Sequence, residues 1–168
     1  DITKLDWLNS QHMANLSLDD FKFHLEPFLK IISIDINKHD NVDLLIESMR
    51  TSENTLKAIA ESLIPYYGKI KNYDEKAVNR FLGDEGQKIL TDIRDLLKDI
   101  KEWDENEIDS VLKNYQEKND YSIPVVNQPI RIALTGSTKS PSIGLTLKIF
   151  GKNESLKRID SILNYLTS

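Results

Sequence analysis

The stretch GQKILTDIRDLLKDI, residues 86–100, decides the fold class. Ile89, Ile93, Leu96, Leu97 and Ile100 recur at spacings of three and four, which places them on one face of an α-helix and leaves the charged residues on the other. A half-buried strand would alternate every second residue, and this stretch does not. The same period extends in both directions. Downstream, Asp104 with Glu107 three residues later predicts an N-cap opening NEIDSVLKNYQE. IPVVNQPIRIAL and PSIGLTLKIF follow, the latter ended by Gly151. ESLKRIDSILNYL comes last, with Leu156, Ile159, Leu163 and Leu166 as its apolar stripe. Upstream, Gly83 stops EKAVNRFL. GKIKNYD, residues 68–74, is a softer stretch and the predicted domain boundary. Before it, Pro65 closes TSENTLKAIAESLI, and Asp40 or Asn41 caps NVDLLIESM. Ser17 caps LSLDDFKFHLEPFLKIIS, where Pro27 is expected to kink or shorten the helix. Ile2, Leu5, Trp7 and Leu8 mark a first amphipathic segment. The expectation is an all-α protein, a superhelix or bundle of about eight helices in two subdomains, residues 1–70 and 71–168.

The 168 residues suffice to bury a core without staples. With no cysteine there is no disulfide frame, thiolate metal site or thiol nucleophile, which fits a reducing, cytoplasmic location. No apolar run approaches the roughly 18 residues of a membrane span, and the N-terminus lacks the pattern of a secretion signal. The first residue is Asp1, so the sequence reads as a piece of something longer. Residues 1–126 carry 16 Lys and Arg against 25 Asp and Glu, whereas residues 127–168 carry 6 against 2. The acidic part argues against a general nucleic-acid binder, and the basic tail leaves room for a local polyanion contact.

Enzyme chemistry has no foothold in these residues. There is no glycine-rich phosphate loop. His12, His24 and His39 are scattered, with no metal-ligand spacing. The carboxylates sit beside lysines as on solvated helix faces. Trp7 and Trp103 have apolar neighbours and read as packing residues.

One stretch remains unexplained: IRIALTGSTKSPSIG, residues 130–144. Pro129 reads as the first residue of a short helix running to about Thr135. Arg131 and Thr135 share one face of it, with Asn127 on the same side. An arginine near an amide and a hydroxyl suits bidentate bonding to a base edge or a phosphate. Gly136 allows a left-handed turn. Ser137, Thr138 and Ser140 offer short donors and acceptors. Ser140-Pro141 reads as an N-cap with proline at N1, giving the next helix an anion-friendly amide end. A tight helix–loop–helix corner uses the same residues, so physics alone leaves both roles open.

NQPIRIALTGSTKSPSIGLTLKIFGKNESLKRI resembles the C-terminal signature of bacterial-type glutamyl-tRNA synthetases. The signature stands here as Gln128-Pro129, Arg131, Ala133-Leu134-Thr135-Gly136-Ser137, Pro141, Gly151-Lys152 and Arg158. Phe150 replaces the family's Leu, and Asn153 its Glu. The opening KLDWLNSQHM resembles the family's K-L-x-W-x-N-x-x-Y-I, so the resemblance covers the whole chain. It implies an all-α helical linker domain followed by an anticodon-binding domain. In such enzymes these grip glutamate tRNA while a catalytic domain, with ATP and Mg, makes glutamyl-adenylate and charges the tRNA. The H-I-G-H-like and K-M-S-K-S-like motifs of that domain are absent, so this chain is expected to be inactive alone, with its partners the tRNA and the catalytic domain of the same chain. The resemblance implies anticodon contacts from Arg131, Ser140, Pro141 and Ile143, and the hinge hydroxyls of Ser137 and Thr138 are expected to join them. ESMRTSENTL resembles a family segment with M-R-x-R, which adds Arg50 and puts Ser52 where some members have an arginine that excludes glutamine tRNA. Serine lacks that reach, so the resemblance implies relaxed specificity that includes tRNA(Gln). Lys139, Lys148, Lys152 and Lys157 are phosphate-backbone candidates, and no metal site is expected. The competing reading is a helical protein-interaction module without RNA specificity. The absence of a heptad seam predicts a monomer.

Overall fold

The computed structural model describes residues 2–168, apart from the side chains of residues 2, 3, 6 and 7. The expected roles of Ile2 and Trp7 lie outside the described side chains. Among the described residues, regular structure consists of eleven α-helices and one 3₁₀ turn, so the all-α expectation holds and the count of about eight is low. The chain divides into two compact units, Asp1–Lys69 and Ile70–Ser168.

The first unit contains α1 (Ile2–Asn15), α2 (Leu18–Ile31), a 3₁₀ turn (Ile36–Lys38), α3 (Val42–Met49), α4 (Leu56–Ser62) and α5 (Ile64–Tyr67). Its centre is α2, which packs on α3 and α4. Phe21, Leu25 and Leu29, four residues apart, are buried there. Ser17 caps α2 by accepting from the Asp20 N–H at 3.1 Å. Pro27 does not shorten the helix, which continues four residues to Ile31. Leu25 and Leu29, buried on either side of the proline, hold it in place against the lost hydrogen bond. In α1, the predicted stripe residues Leu5 and Leu8 are 58% and 48% exposed, and the buried residue is Met13. Pro65 does not end the helical run but opens α5. A proline fits there because the first N–H groups of a helix have no intrahelical acceptor.

The second unit contains α6 (Glu75–Phe81), α7 (Asp84–Asp99), α8 (Glu105–Asn119), α9 (Ile123–Thr135), α10 (Ile143–Phe150) and α11 (Lys152–Thr167). The central helix is α9, which packs against α6, α7, α8, α10 and α11. On α7 the buried stripe is Ile89, Leu90, Ile93 and Leu97, with Leu90 in and Leu96 out of the core. On α11 the buried apolar residues are Ile159 and Ile162, while Leu156, Leu163 and Leu166 lie at the core's margin. Asp104 caps α8 as predicted, accepting from Glu107 N–H at 3.1 Å. Trp103 packs on the core, and its indole N–H donates to the Leu147 carbonyl.

Candidate nucleic-acid interface

The stretch from Arg131 to Ile143 joins the end of α9 to the start of α10. The helix beneath it starts earlier than Pro129: α9 begins at Ile123, with Pro124 in its first turn, and carries Pro129 buried in its interior. Five packed neighbours hold the backbone helical there, at the cost of the N–H that proline lacks.

The helix ends at Gly136 with φ 81°, the left-handed turn its sequence predicts. Glycine is required for space as well as conformation. A Cβ at Gly136 would lie 2.9 Å from Ile70 Cγ2 and 3.2 Å from the Asn72 carbonyl oxygen. The Gly136 carbonyl also accepts from Asp74 N–H at 2.8 Å. Residues 70–74, which read in sequence as a mere boundary, thus buttress the hinge. Thr135 closes the turn from the other side, its hydroxyl within reach of the Arg131, Ser137 and Lys139 carbonyls at 2.9, 3.2 and 3.4 Å. Ser137 Oγ accepts from Lys139 N–H.

Arg131 is half-buried and oriented on three sides. Its Nε donates to Ser140 Oγ at 2.7 Å, Nη1 to Gln128 Oε1 at 3.3 Å and Nη2 to the Pro141 carbonyl at 3.3 Å. Ser140 Oγ in turn donates to the Pro141 carbonyl at 2.7 Å, which closes a ring of bonds around one edge of the guanidinium. A planar fork held this way is pre-organised for a planar acceptor and loses little entropy on binding.

Several expectations change in the structure. Ser140 and Pro141 do not begin the next helix; α10 starts at Ile143 after Ser142, because both residues are engaged with Arg131. The amide end of α10 is not open to a phosphate in the way its sequence suggests. The Ser142 hydroxyl faces Glu105 at 3.5 Å, and Asp109 lies so close to Gly144 that a Cβ there would meet its Oδ1 at 2.1 Å. Burial first, and then the charge of Glu105, push the Asp109 carboxyl above its ordinary range. Ile143 is only 3% exposed and belongs to the core, which leaves little of it for a base.

Arg50 and Ser52 lie in the first unit. Arg50, 7% exposed, clamps the C-terminal end of α1. Its Nη2 donates to the Met13, Ala14 and Leu16 carbonyls at 2.7, 3.3 and 2.5 Å, and Nη1 to Glu47 at 3.0 Å. Its guanidinium stands 5.2 Å from the Phe21 ring. Arg50 thus has an internal job, tying the end of α1 to α3. Ser52 is exposed, with its hydroxyl donating to the Met49 carbonyl. Among the basic candidates, Lys139 and Lys157 are exposed and Lys148 is half-buried. Lys152 instead caps α7, donating to the Lys98 and Ile100 carbonyls at 2.6 Å each. Arg158 is also internal: it donates to the Leu134 carbonyl and Glu154, and lies 4.4 Å over the Phe150 ring. Thr138 is half-buried in the loop.

Two residues that orient the site were not singled out for it from sequence. Gln128 lies three residues before Arg131, a helical spacing that could have revealed it. Thr146 is buried beneath Ser140 and is brought there only by the fold.

Among the described residues, no group of three His, Cys, Asp or Glu could hold a metal ion, and no helix is long and apolar enough to cross a membrane.

Residues 20–163 match the family model described as the anticodon binding domain. The chain is 37% identical over 161 residues to a glutamate–tRNA ligase of Myxococcus xanthus, covering 95% of this chain and 34% of that protein. It is 33% identical over 165 residues to a glutamate–tRNA ligase of Campylobacter fetus, covering 98% of this chain and 35% of that protein. The chain thus spans about a third of the length of these curated relatives. The crystal structure of a glutamate tRNA ligase from Elizabethkingia meningosepticum has the same fold over 99% of this chain and 33% of that one, with a TM-score of 0.84 at 18% identity. The chain belongs to the anticodon-binding domain family, and its relatives by sequence are glutamate–tRNA ligases.

Proposed function

We propose that this chain reads the anticodon loop of glutamate tRNA as one part of a longer glutamate–tRNA ligase. The observation that carries the reading is the Arg131 fork, held by Ser140, Gln128 and Pro141 at the mouth of the α9–α10 hinge. Single-stranded RNA loops are read by hydrogen bonds to the edges of splayed bases, and a fixed guanidinium is suited to that work. Ser137, Thr138, Ser140 and Pro141 frame the fork, and Lys139, Lys148 and Lys157 supply positive charge for the RNA backbone. Ligation of glutamate, with ATP and Mg, is assigned to the part of the longer protein that this chain does not span, so the chain alone activates no amino acid. The chain acts as a monomer in the cytoplasm.

Ser52 carries the finer point. A short hydroxyl bonded to the Met49 carbonyl cannot offer a two-pronged contact to a base. We infer that the longer enzyme accepts tRNA(Gln) as well. The test has two arms. Titration of the chain with anticodon stem-loops of glutamate tRNA and an unrelated tRNA should show preference for the former; equal affinity rejects the reading. Charging of tRNA(Glu) and tRNA(Gln) by the longer enzyme should occur at comparable rates; strong preference for tRNA(Glu) rejects relaxed specificity alone.

A further inference from the structure

Thr146 is fully buried on α10, at 0% exposure, yet it carries a hydroxyl. That oxygen lies 2.8 Å from the Ser142 carbonyl, 3.1 Å from Ser140 Oγ and 3.2 Å from the Pro141 carbonyl. The first is the ordinary back-bond of a helical threonine to the residue four before it. The other two are the same atoms that hold Arg131 Nε and Nη2. A hydroxyl has one proton, so it serves one of these oxygens at a time; given to Ser140 Oγ, it starts a relay in which Ser140 donates onward to the Pro141 carbonyl. A buried polar group is retained where its partners need it, and here those partners are the cradle of the guanidinium.

We propose that Thr146 is a positioning residue for RNA reading. It holds Ser140 Oγ, and through Ser140 the Pro141 carbonyl, where they aim the Arg131 fork, and it does not itself touch the RNA. The inference rests on the anticodon-loop reading above. Valine has nearly the shape of threonine without its proton. Thr146→Val therefore keeps the packing and releases the cradle, whereas Thr146→Ser keeps the hydroxyl.

The experiment uses the 168-residue chain and fluorescent anticodon stem-loops of glutamate tRNA and an unrelated tRNA. Thr146→Val should lower the preference for the glutamate loop by about 5-fold, the worth of about one hydrogen bond, and Thr146→Ser should restore most of it. In an Arg131→Ala background, Thr146→Val should change the preference no further, because the fork it aims is gone. Without RNA, the Arg131 Nε–H signal in the NMR spectrum of Thr146→Val should exchange with water faster than in the parent chain, while the amides of α7 and α9 stay protected. The proposal is overturned if Thr146→Val weakens both loops equally, if its effect persists beside Arg131→Ala, or if Arg131 Nε–H exchange is unchanged. Should Thr146→Val fail to fold, Thr146→Ala, which removes the same hydroxyl and leaves the Ser140 acceptor of Arg131 Nε in place, is judged on the same criteria. If Arg131→Ala leaves the preference intact, the reading head itself is refuted, an outcome distinct from failure at Thr146.

Discussion

Replacing Gly136 by alanine tests the hinge through its backbone. Two effects destabilise the variant and one opposes them. A residue with a Cβ at φ 81° takes on left-handed strain of about 1–2 kcal/mol. The new Cβ also meets Ile70 Cγ2 at 2.9 Å and the Asn72 carbonyl oxygen at 3.2 Å. Easing those contacts, and the Asp74 N–H bond to the Gly136 carbonyl at 2.8 Å beside them, costs about 1 kcal/mol more. Against this, alanine restricts the unfolded chain and returns about 0.4–1 kcal/mol. The net loss is about 1–2.6 kcal/mol, which in a chain of this size lowers the Tm by about 2–10 °C. Urea unfolding and calorimetry measure it. Gly136→Asn separates the two destabilising effects, because asparagine tolerates the left-handed region but still carries the Cβ. It should therefore fall between wild type and Gly136→Ala. A Gly136→Ala variant as stable as wild type, or more so, would refute the reasoning, for it would mean that neither conformation nor space requires glycine.

Gly86→Ala should cost more than helix propensity suggests. Alanine is the better helix former by about 1 kcal/mol, but its Cβ would lie 1.9 Å from the Phe81 carbonyl oxygen, which is backbone and cannot rotate away. A net loss of stability in urea is expected, and a gain would contradict the close approach of α6 and α7. Arg50→Met should lower stability by about 2–3 kcal/mol, because it strips the donors from three carbonyls at the end of α1. It should leave the ratio of affinities for glutamate and unrelated loops unchanged, and a changed ratio in the titration would return Arg50 to the reading surface. His39 gives a pH dependence. Burial lowers its pKa below the ordinary 6.5, with Asp40 opposing, and its Nδ1 accepts from Asn41 N–H, which requires a neutral ring. The unfolded chain therefore takes up this proton first. His39 contributes full stability above about pH 6.5 and loses it as pH falls toward the lower folded value. Denaturation midpoints across that range should fall with acidification, and less steeply in His39→Gln.

The helices were legible because burial on one face imposes a period that survives in the sequence, as in Ile89, Ile93 and Leu97. Local capping chemistry was legible too. Asp104 and Ser17 each bond an N–H three residues on, and Gly136 turns left-handed. The hinge and its arginine stood out because glycine, hydroxyls and proline cluster where a helical period breaks. What could not be read depends on contacts between distant residues. Arg50 joins carbonyls 34 to 37 positions away, contacts that no local spacing announces. Pro129 signals a helix start by local rules, but packing on five neighbours carries α9 through it. Thr146 lies six residues from Ser140, a separation that matches no helical contact, because a loop intervenes. The carboxylates facing the start of α10 come from α8, and no local pattern around Ser142 announces them.

The most direct test of the account is a titration of wild type and Arg131→Ala with anticodon stem-loops of glutamate, glutamine and unrelated tRNAs, at low and moderate salt. Loss of a base-edge contact costs about 1–3 kcal/mol. The account predicts that wild type prefers the glutamate loop over the unrelated one at both salt concentrations, and that Arg131→Ala loses most of that preference while keeping the weak, salt-sensitive attraction common to all loops. If the three loops bind alike and Arg131→Ala changes nothing, the hinge is only a corner between two helices, and the central claim fails.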